Sequence, residues 1–177
     1  MKKVIMDGAA ISRSIDRIVH QILENNDGAD NIAIVGILAR GIDLAHGIAR
    51  QIETLENVKI PVGCVDITLY RDDFRELVDI PDAKGSDIQF DIKGKDIILV
   101  DDVIYTGRTI RSAIDVVLDF GRPKSIQLAV LIDRGGRELP IQPDYVGRKV
   151  DVRPDEYVQV LTKETDGADE VILVKRK

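Results

Sequence analysis

Ile97-Ile98-Leu99-Val100-Asp101-Asp102-Val103-Ile104-Tyr105-Thr106-Gly107-Arg108-Thr109 is the stretch that decides how this chain folds. Four apolar residues run directly into two adjacent carboxylates, then into a short turn rich in hydroxyls and glycine. Ile110, Ala113, Ile114, Val117 and Leu118 follow at near-helical spacing, so the turn opens an amphipathic helix with those residues packed inward. A buried strand, acids at its end and a helix start together describe one unit of an α/β protein. Ligands bind at that carboxyl edge.

The same alternation repeats on either side. Val4 to Met6 reads as a short strand, Asp7 as an N-cap, and Ile11, Ile15, Ile18, Val19, Ile22 and Leu23 as the buried stripe of a first helix ended by Asn25-Asn26-Asp27-Gly28. Ile32 to Leu38 has the continuous apolar character of a parallel strand covered on both faces. Ala39-Arg40-Gly41 then turns into a second helix with Leu44, Ala45, Ile48, Ile52 and Leu55 as apolar positions, and Ile60 to Ile67 forms the next strand. From about Tyr70 to Gln89 the pattern collapses into a long polar insert, the kind that is commonly an active-site lid or simply mobile. Gly121-Arg122-Pro123 stops the third helix and Ile126 to Ile132 is again strand-like. Asp133 to Pro140 is irregular, and strands near Tyr157 to Leu161 and Glu170 to Val174 close the chain. The expected fold is α/β, a mostly parallel sheet flanked by helices, in a single domain over 1–177.

Composition narrows the function classes. The chain has 177 residues, 44% of them hydrophobic and 32% charged, which suits one core. One cysteine, Cys64, precludes an intrachain disulfide and suggests a reducing compartment. The longest apolar run, Ile32 to Ala39, is far too short to cross a bilayer, and the N-terminus lacks a signal-like apolar region, so a cytoplasmic protein without membrane contact is expected. A net charge of −6 argues against indiscriminate nucleic-acid binding while leaving room for a local basic patch.

The central turn has a definite chemistry. At a helix start, unpaired backbone N–H groups and the positive end of the dipole favour a phosphate dianion. Gly107 lets the backbone come close, and Thr106 and Thr109 add hydroxyls. Neither a GxxxxGK[ST] loop nor a strand-borne GxGxxG occurs, so the cradle is of another kind. Asp101 and Asp102 can accept hydrogen bonds from a sugar diol or attract a hydrated Mg²⁺, and the competing reading is a pair of solvated strand-end carboxylates.

Val100 to Thr109 resembles the phosphoribosyl-diphosphate (PRPP) motif of type I phosphoribosyltransferases. Gly36 to Gly41 resembles that family's pyrophosphate loop, and Asp66 to Asp73 its closing loop. Ser125 to Gly135 with Arg137-Glu138-Leu139-Pro140 resembles one branch, the PyrR family of bifunctional pyrimidine-operon attenuators and uracil phosphoribosyltransferases. The resemblance implies a mobile loop at about 70–89 and a small hood at about 133–157. It implies that Asp101 and Asp102 are catalytic and hold the ribose hydroxyls. Ile98, Leu99, Val100, Val103, Ile104, Tyr105, Thr106, Gly107, Arg108 and Thr109 would then line the PRPP and nucleotide site. Ala39, Arg40, Gly41 and Arg71 would meet pyrophosphate, and Arg134 and Val158 the base; the plain alternatives are a solvated loop arginine at 71 and a core residue at 158. Mg²⁺ near Asp101 and Asp102 would be held mainly through substrate and water.

The same resemblance implies that PRPP and uracil are substrates, that UMP and UTP bind, that pyrimidine-operon leader mRNA is a partner, and that the chain forms a homodimer or higher homo-oligomer. On the first helix Arg13, Arg17, His20 and Glu24 share one face by their spacing, and Arg137, Arg148 and Lys149 extend a basic surface from the hood side. Asp16 and Gly136 stand where the family tends to carry a neutral and a basic residue. Other readings are a phosphoribosyltransferase for another nucleobase without an RNA role, an RNA-binding regulator with an inactive pocket, and a receiver-like signalling domain. The last would need a further acid and a lysine at later strand ends, where this chain offers Asp133-Arg134.

Overall fold

The computed structural model describes residues 2–68 and 85–176. In chain order the elements are β1 (Lys2–Met6), α1 (Gly8–Asn25), β2 (Ile32–Ile37), α2 (Arg40–Glu56), β3 (Val62–Val65), β4 (Asp96–Ile104), α3 (Arg108–Asp119), β5 (Ser125–Asp133), β6 (Tyr145–Lys149), β7 (Glu156–Leu161), α4 (Lys163–Asp166) and β8 (Glu170–Lys175). The central sheet has the order β3-β2-β4-β5-β6, with every neighbouring pair parallel. A second sheet, β1-β8-β7, is antiparallel.

Period-two alternation in the buried strands explains the layering. Ile32 and Ile34 of β2 and Ile98 and Val100 of β4 join the core beneath α1 and α2. Ala33, Val35, Ile37, Ile97 and Leu99 point the other way, into the core beneath α3. The sheet is therefore covered on both faces, as its unbroken apolar strands require. Each fully buried Ile or Leu here contributes about 1.5–3 kcal/mol relative to exposure.

Asp7 caps α1, its carboxylate accepting from the Ala10 N–H at 2.8 Å. In α3 the inward positions are Ile110, Ala113, Val116 and Val117, with Ile114 half-buried against them. Leu118 instead is 49% exposed, because in the run Val116-Val117-Leu118 the sheet takes up only the first two. The strand expected over Ile60 to Ile67 is pared to Val62–Val65, although Ile60 and Ile67 are buried beyond its ends.

Residues 145–149 form β6, which pairs with β5 at the edge of the central sheet. The small sheet draws on both ends of the chain, pairing β1 with β8 and β8 with β7. Tyr145 explains the recruitment of β6. It is 1% exposed, its hydroxyl donates to Gln127 Oε1 on β5 and accepts from Asn25 and Asn26 at the end of α1. Of the polar insert, residues 70–84 lie outside the described residues.

Candidate active site at the switch point of the sheet

β2 and β4 are neighbours, but the connection from β2 passes through α2 to β3 on one side and that from β4 through α3 to β5 on the other. The chain departs in opposite directions from adjacent parallel strands, which opens a crevice at their carboxyl ends. Three segments meet there: 38–41 after β2, 101–107 at the end of β4, and 133–139 after β5.

The first two are pressed together. A Cβ at Gly41 would lie 2.6 Å from the Val100 carbonyl oxygen and 3.3 Å from Asp101 Cα, and one at Gly36 would lie 2.5 Å from Ile42 Cα. Only glycine admits this approach, so the N-terminus of α2 sits against the acid-bearing end of β4. Ala39 precedes it as N-cap without a side-chain hydrogen bond.

Asp101 is buried and Asp102 partly exposed, as expected for adjacent strand residues on opposite faces. The Asp101 carboxylate accepts from the Asp102 N–H and the Asp102 carboxylate from the Val103 N–H, both at 2.9 Å. Burial in the cleft pushes the Asp102 carboxyl above the ordinary range. The Asp101 contact, the Val103 amide and the charge of Arg40 pull the other way without offsetting it. Such a carboxyl is poised to gain from a cation or a hydroxyl donor.

Beyond the acids, Gly107 caps α3 at φ +93°, with no side-chain cap and no acid in the first helical turn. Amides at the start of α3 are thus presented without a competing carboxylate, beside the partly exposed Thr106 and Thr109. Arg108 is exposed and pairs with Glu138 at 2.8 Å. Ile98, Leu99, Val100 and Ile104 are buried and Val103 is half-buried, so their side chains shape the site from below.

The third segment is bolted onto this turn. Arg134 N–H donates to the Ile104 carbonyl at 3.2 Å, and the Glu138 and Leu139 N–H groups donate to the Thr106 carbonyl at 2.9 and 3.2 Å. Arg137 donates to the carbonyls of Tyr105 and Ile141 and to Asp133, at 3.0, 2.9 and 2.8 Å. Burial opposes ionisation of Asp133, but Arg137, the Gly135 amide and Lys149 hold its carboxyl below the ordinary range. The guanidinium of Arg137 is thereby committed to holding the loop, a use its place in a basic cluster did not suggest.

The remaining basic residues fall into two groups. Arg13, Arg17 and His20 are exposed on α1. Arg17 also donates to the carbonyls of Val146 and Gly147 on β6. Arg148 donates to the Ile5 carbonyl of β1 at 2.6 Å, tying the central sheet to the small one, and Lys149 is exposed at the end of β6. Val158 lies on β7, half-buried against the core of α1 and α2. Arg71 lies outside the described residues.

Sequence reading missed Asp43 and Asp166. Arg40 makes a two-point ion pair with Asp166 of α4, and Asp43 accepts from the hydroxyls of Thr162 and Thr165 at 2.5 and 2.7 Å. The small sheet is thus latched to the first turn of α2. No local pattern signals this, since α4 is four residues long in a polar run. A separate groove of about 540 Å³ between α1, α2 and the small sheet is lined by Ile15, Leu44, Leu55 and Leu131 and holds neither acid of the pair nor the α3 turn.

Among the described residues no three His, Cys, Asp or Glu side chains converge as metal ligands, and no helix is long and apolar enough to cross a membrane.

A glycine-tight loop, an acid pair and a helix start without a side-chain cap thus gather at the switch point of a parallel sheet. The pattern of the phosphoribosyl transferase domain matches residues 3–162. The fold is shared with the hypoxanthine phosphoribosyltransferase of Trypanosoma cruzi, at a TM-score of 0.73 and 17% identity over 99% of this chain and 97% of that one. It is shared equally with a hypoxanthine-guanine phosphoribosyltransferase of Bacillus anthracis, at 0.71 and 19% over 97% and 96%. Sequence similarity is more specific. "Bifunctional protein PyrR" of Halalkalibacterium halodurans is 50% identical over 178 residues, 99% of each chain, and that of Acetivibrio thermocellus is 55% identical over 168 residues, 95% of this chain and 91% of the relative. The chain belongs to the PyrR family of phosphoribosyltransferases.

Proposed function

We propose that this chain converts uracil and PRPP to UMP and pyrophosphate, and that it binds pyrimidine-operon leader mRNA in response to uridine nucleotides to attenuate transcription. The observation that carries the enzymatic half is the acid pair beside the start of α3, which has no acid in its first turn, with the Gly41 loop pressed against it. Family membership at half identity over the whole length carries the regulatory half.

In this reading the amides at the start of α3, with Thr106 and Thr109, take the 5′-phosphate. Asp101 and Asp102 take the ribose hydroxyls and favour the positive charge that develops at the anomeric carbon as the pyrophosphate departs. The backbone at Ala39, Arg40 and Gly41 takes the leaving group, assisted by Arg71, and Arg134 and Val158 border the base. No covalent nucleophile is required, since the gain comes from positioning and fixed charge.

Phosphoribosyltransferases generally use Mg²⁺ with PRPP, and the residues present fit it in a limited way. Two adjacent carboxylates offer hard oxygen donors, so an ion there would complete its shell with substrate oxygens and water. An ion held there by Asp101 and Asp102 would supply charge neutralisation for the departing pyrophosphate.

The basic face of α1 with Arg13, Arg17 and His20, extended by Arg137, Arg148 and Lys149, suits phosphate contacts, with unpaired RNA bases supplying specificity. Residence in the cytoplasm and self-association into a homodimer or larger homo-oligomer belong to the same reading.

The test is UMP formation by wild type and Asp102→Asn. The variant should keep its fold and lose about 10²–10³-fold in turnover, the usual scale for removing one charge-stabilising group. Retention of most activity would remove the acid pair from the mechanism.

A further inference from the structure

Tyr105 belongs to the central turn, yet its ring is 46% exposed and lies against the loop after β5. The Arg134 guanidinium carbon sits 3.9 Å from the ring centroid, in the geometry of a cation–π contact. Gly136 lies under the edge of the same ring, where a Cβ would come within 2.4 Å of Tyr105 Cε2 and 3.0 Å of Cδ2. Gly136 also has φ +77°, which side chains of L residues rarely adopt. The backbone of Tyr105 is fixed as well, its carbonyl accepting from Arg137. Ring and loop fit together because position 136 carries no side chain.

Arg134 is left with something to donate. Its Nε is buried and, among the described residues, has no hydrogen-bond partner, whereas the Nε of Arg137 in the same loop donates to the Ile141 carbonyl at 2.9 Å. A buried N–H without an acceptor is costly and calls for one, which a bound ligand can supply. The start of α3 already offers amides for phosphate, so the acceptor that suits this hood donor is a carbonyl oxygen of the base.

We propose that Tyr105 is a positioning residue for Arg134, its ring holding the guanidinium so that Nε–H meets a carbonyl of the bound pyrimidine, and that Gly136 provides the room for the ring. This rests on the placing of Arg134 in the nucleotide pocket. A residue acting in this way tunes recognition of the base rather than of PRPP.

Steady-state kinetics with uracil and PRPP varied separately tests it, on wild type, Arg134→Ala, Tyr105→Leu, Tyr105→Phe and Gly136→Ala. Arg134→Ala and Tyr105→Leu should each raise the KM for uracil about tenfold and leave that for PRPP within about twofold. Tyr105→Phe keeps the ring and should return the uracil KM to within about twofold of wild type. Gly136→Ala should mimic Tyr105→Leu, because the new methyl expels the ring. The double variant Tyr105→Leu/Arg134→Ala should be no worse than Arg134→Ala, since both changes remove one contact. A normal uracil KM in Tyr105→Leu beside a raised one in Arg134→Ala overturns the positioning role and leaves the pocket standing. A rise in the PRPP KM instead makes the acceptor a phosphate and also overturns it. An unchanged uracil KM in Arg134→Ala removes the pocket assignment and the proposal together.

Discussion

Arg40 and Asp166 meet across the seam between the first turn of α2 and the small sheet, Nε 3.0 Å from Oδ2 and Nη2 2.8 Å from Oδ1. The pair has the two-point geometry that suits a planar guanidinium. Asp166 also accepts from the Thr162 N–H at 2.9 Å, so one carboxylate fixes both the Arg40 side chain and the entry into α4. An arginine whose backbone borders the acid pair thus has its side chain turned toward the small sheet.

Asp166→Ala should loosen this latch. The side chains are 31% and 17% exposed, so the pair is worth only about 1 kcal/mol after solvent screening. A protein of this size should then lose roughly 2–4 °C in Tm. The KM for PRPP should rise while that for uracil stays near wild type. An unchanged PRPP KM with a lowered Tm would leave Asp166 a purely structural residue.

The same carboxyl gives stability a pH dependence. The Arg40 hydrogen bond and then the Thr162 amide hold Asp166 below the ordinary range. Its contribution is complete above the unfolded-state pKa and disappears as pH falls through the folded one. Wild type and Asp166→Ala should therefore differ in Tm at neutral pH and converge progressively below about pH 4. A gap that persists at the acid end would show that lost contacts other than ionic ones dominate.

Gly41→Ala tests the close approach that builds the crevice. Its methyl would meet the Val100 carbonyl at 2.6 Å, and backbone on both sides must give way. The cost should be about 1–3 kcal/mol, in the range of overpacked cores. Turnover should fall further than stability explains, because the loop and the acid pair move apart. Thermal melts and UMP formation on one preparation separate the two effects.

How much of this was legible in the sequence differs between strands and hood. β2, β4 and β5 each carry a run of at least four consecutive apolar residues, and the turn after β4 carries its chemistry in consecutive residues, so both could be read locally. β6 has five residues, of which Gly147, Arg148 and Lys149 give no strand signal; it exists because Tyr145 reaches Gln127 and the end of α1. Helical spacing put Arg17 on an outer face correctly, but its second use on β6 spans 129 positions. Asp166, Asp43 and the Tyr105–Arg134 contact are likewise products of chain reversal, and local pattern carries no trace of them.

The contact of Arg17 with β6 separates two substitutions on the proposed RNA-binding face. Arg13→Ala should weaken binding to a pyrimidine leader transcript and reduce the salt slope by roughly one, leaving Tm unchanged. Arg17→Ala should weaken RNA binding and lower Tm as well, since the Val146 and Gly147 carbonyls lose their donor. Titrations at several salt concentrations, with and without UMP, measure both. Equal affinity for an unrelated hairpin would contradict leader recognition.

The most direct measurement is PRPP-dependent nucleotide formation by the wild-type protein offered uracil, hypoxanthine, guanine and orotate separately with Mg²⁺. The fold is shared with purine enzymes, whereas the loop at Arg134 belongs to the pyrimidine branch, so the base is where the two readings part. UMP and pyrophosphate should appear with uracil, and the other three bases should give no nucleotide above background. Turnover of hypoxanthine or guanine with none of uracil would contradict the account.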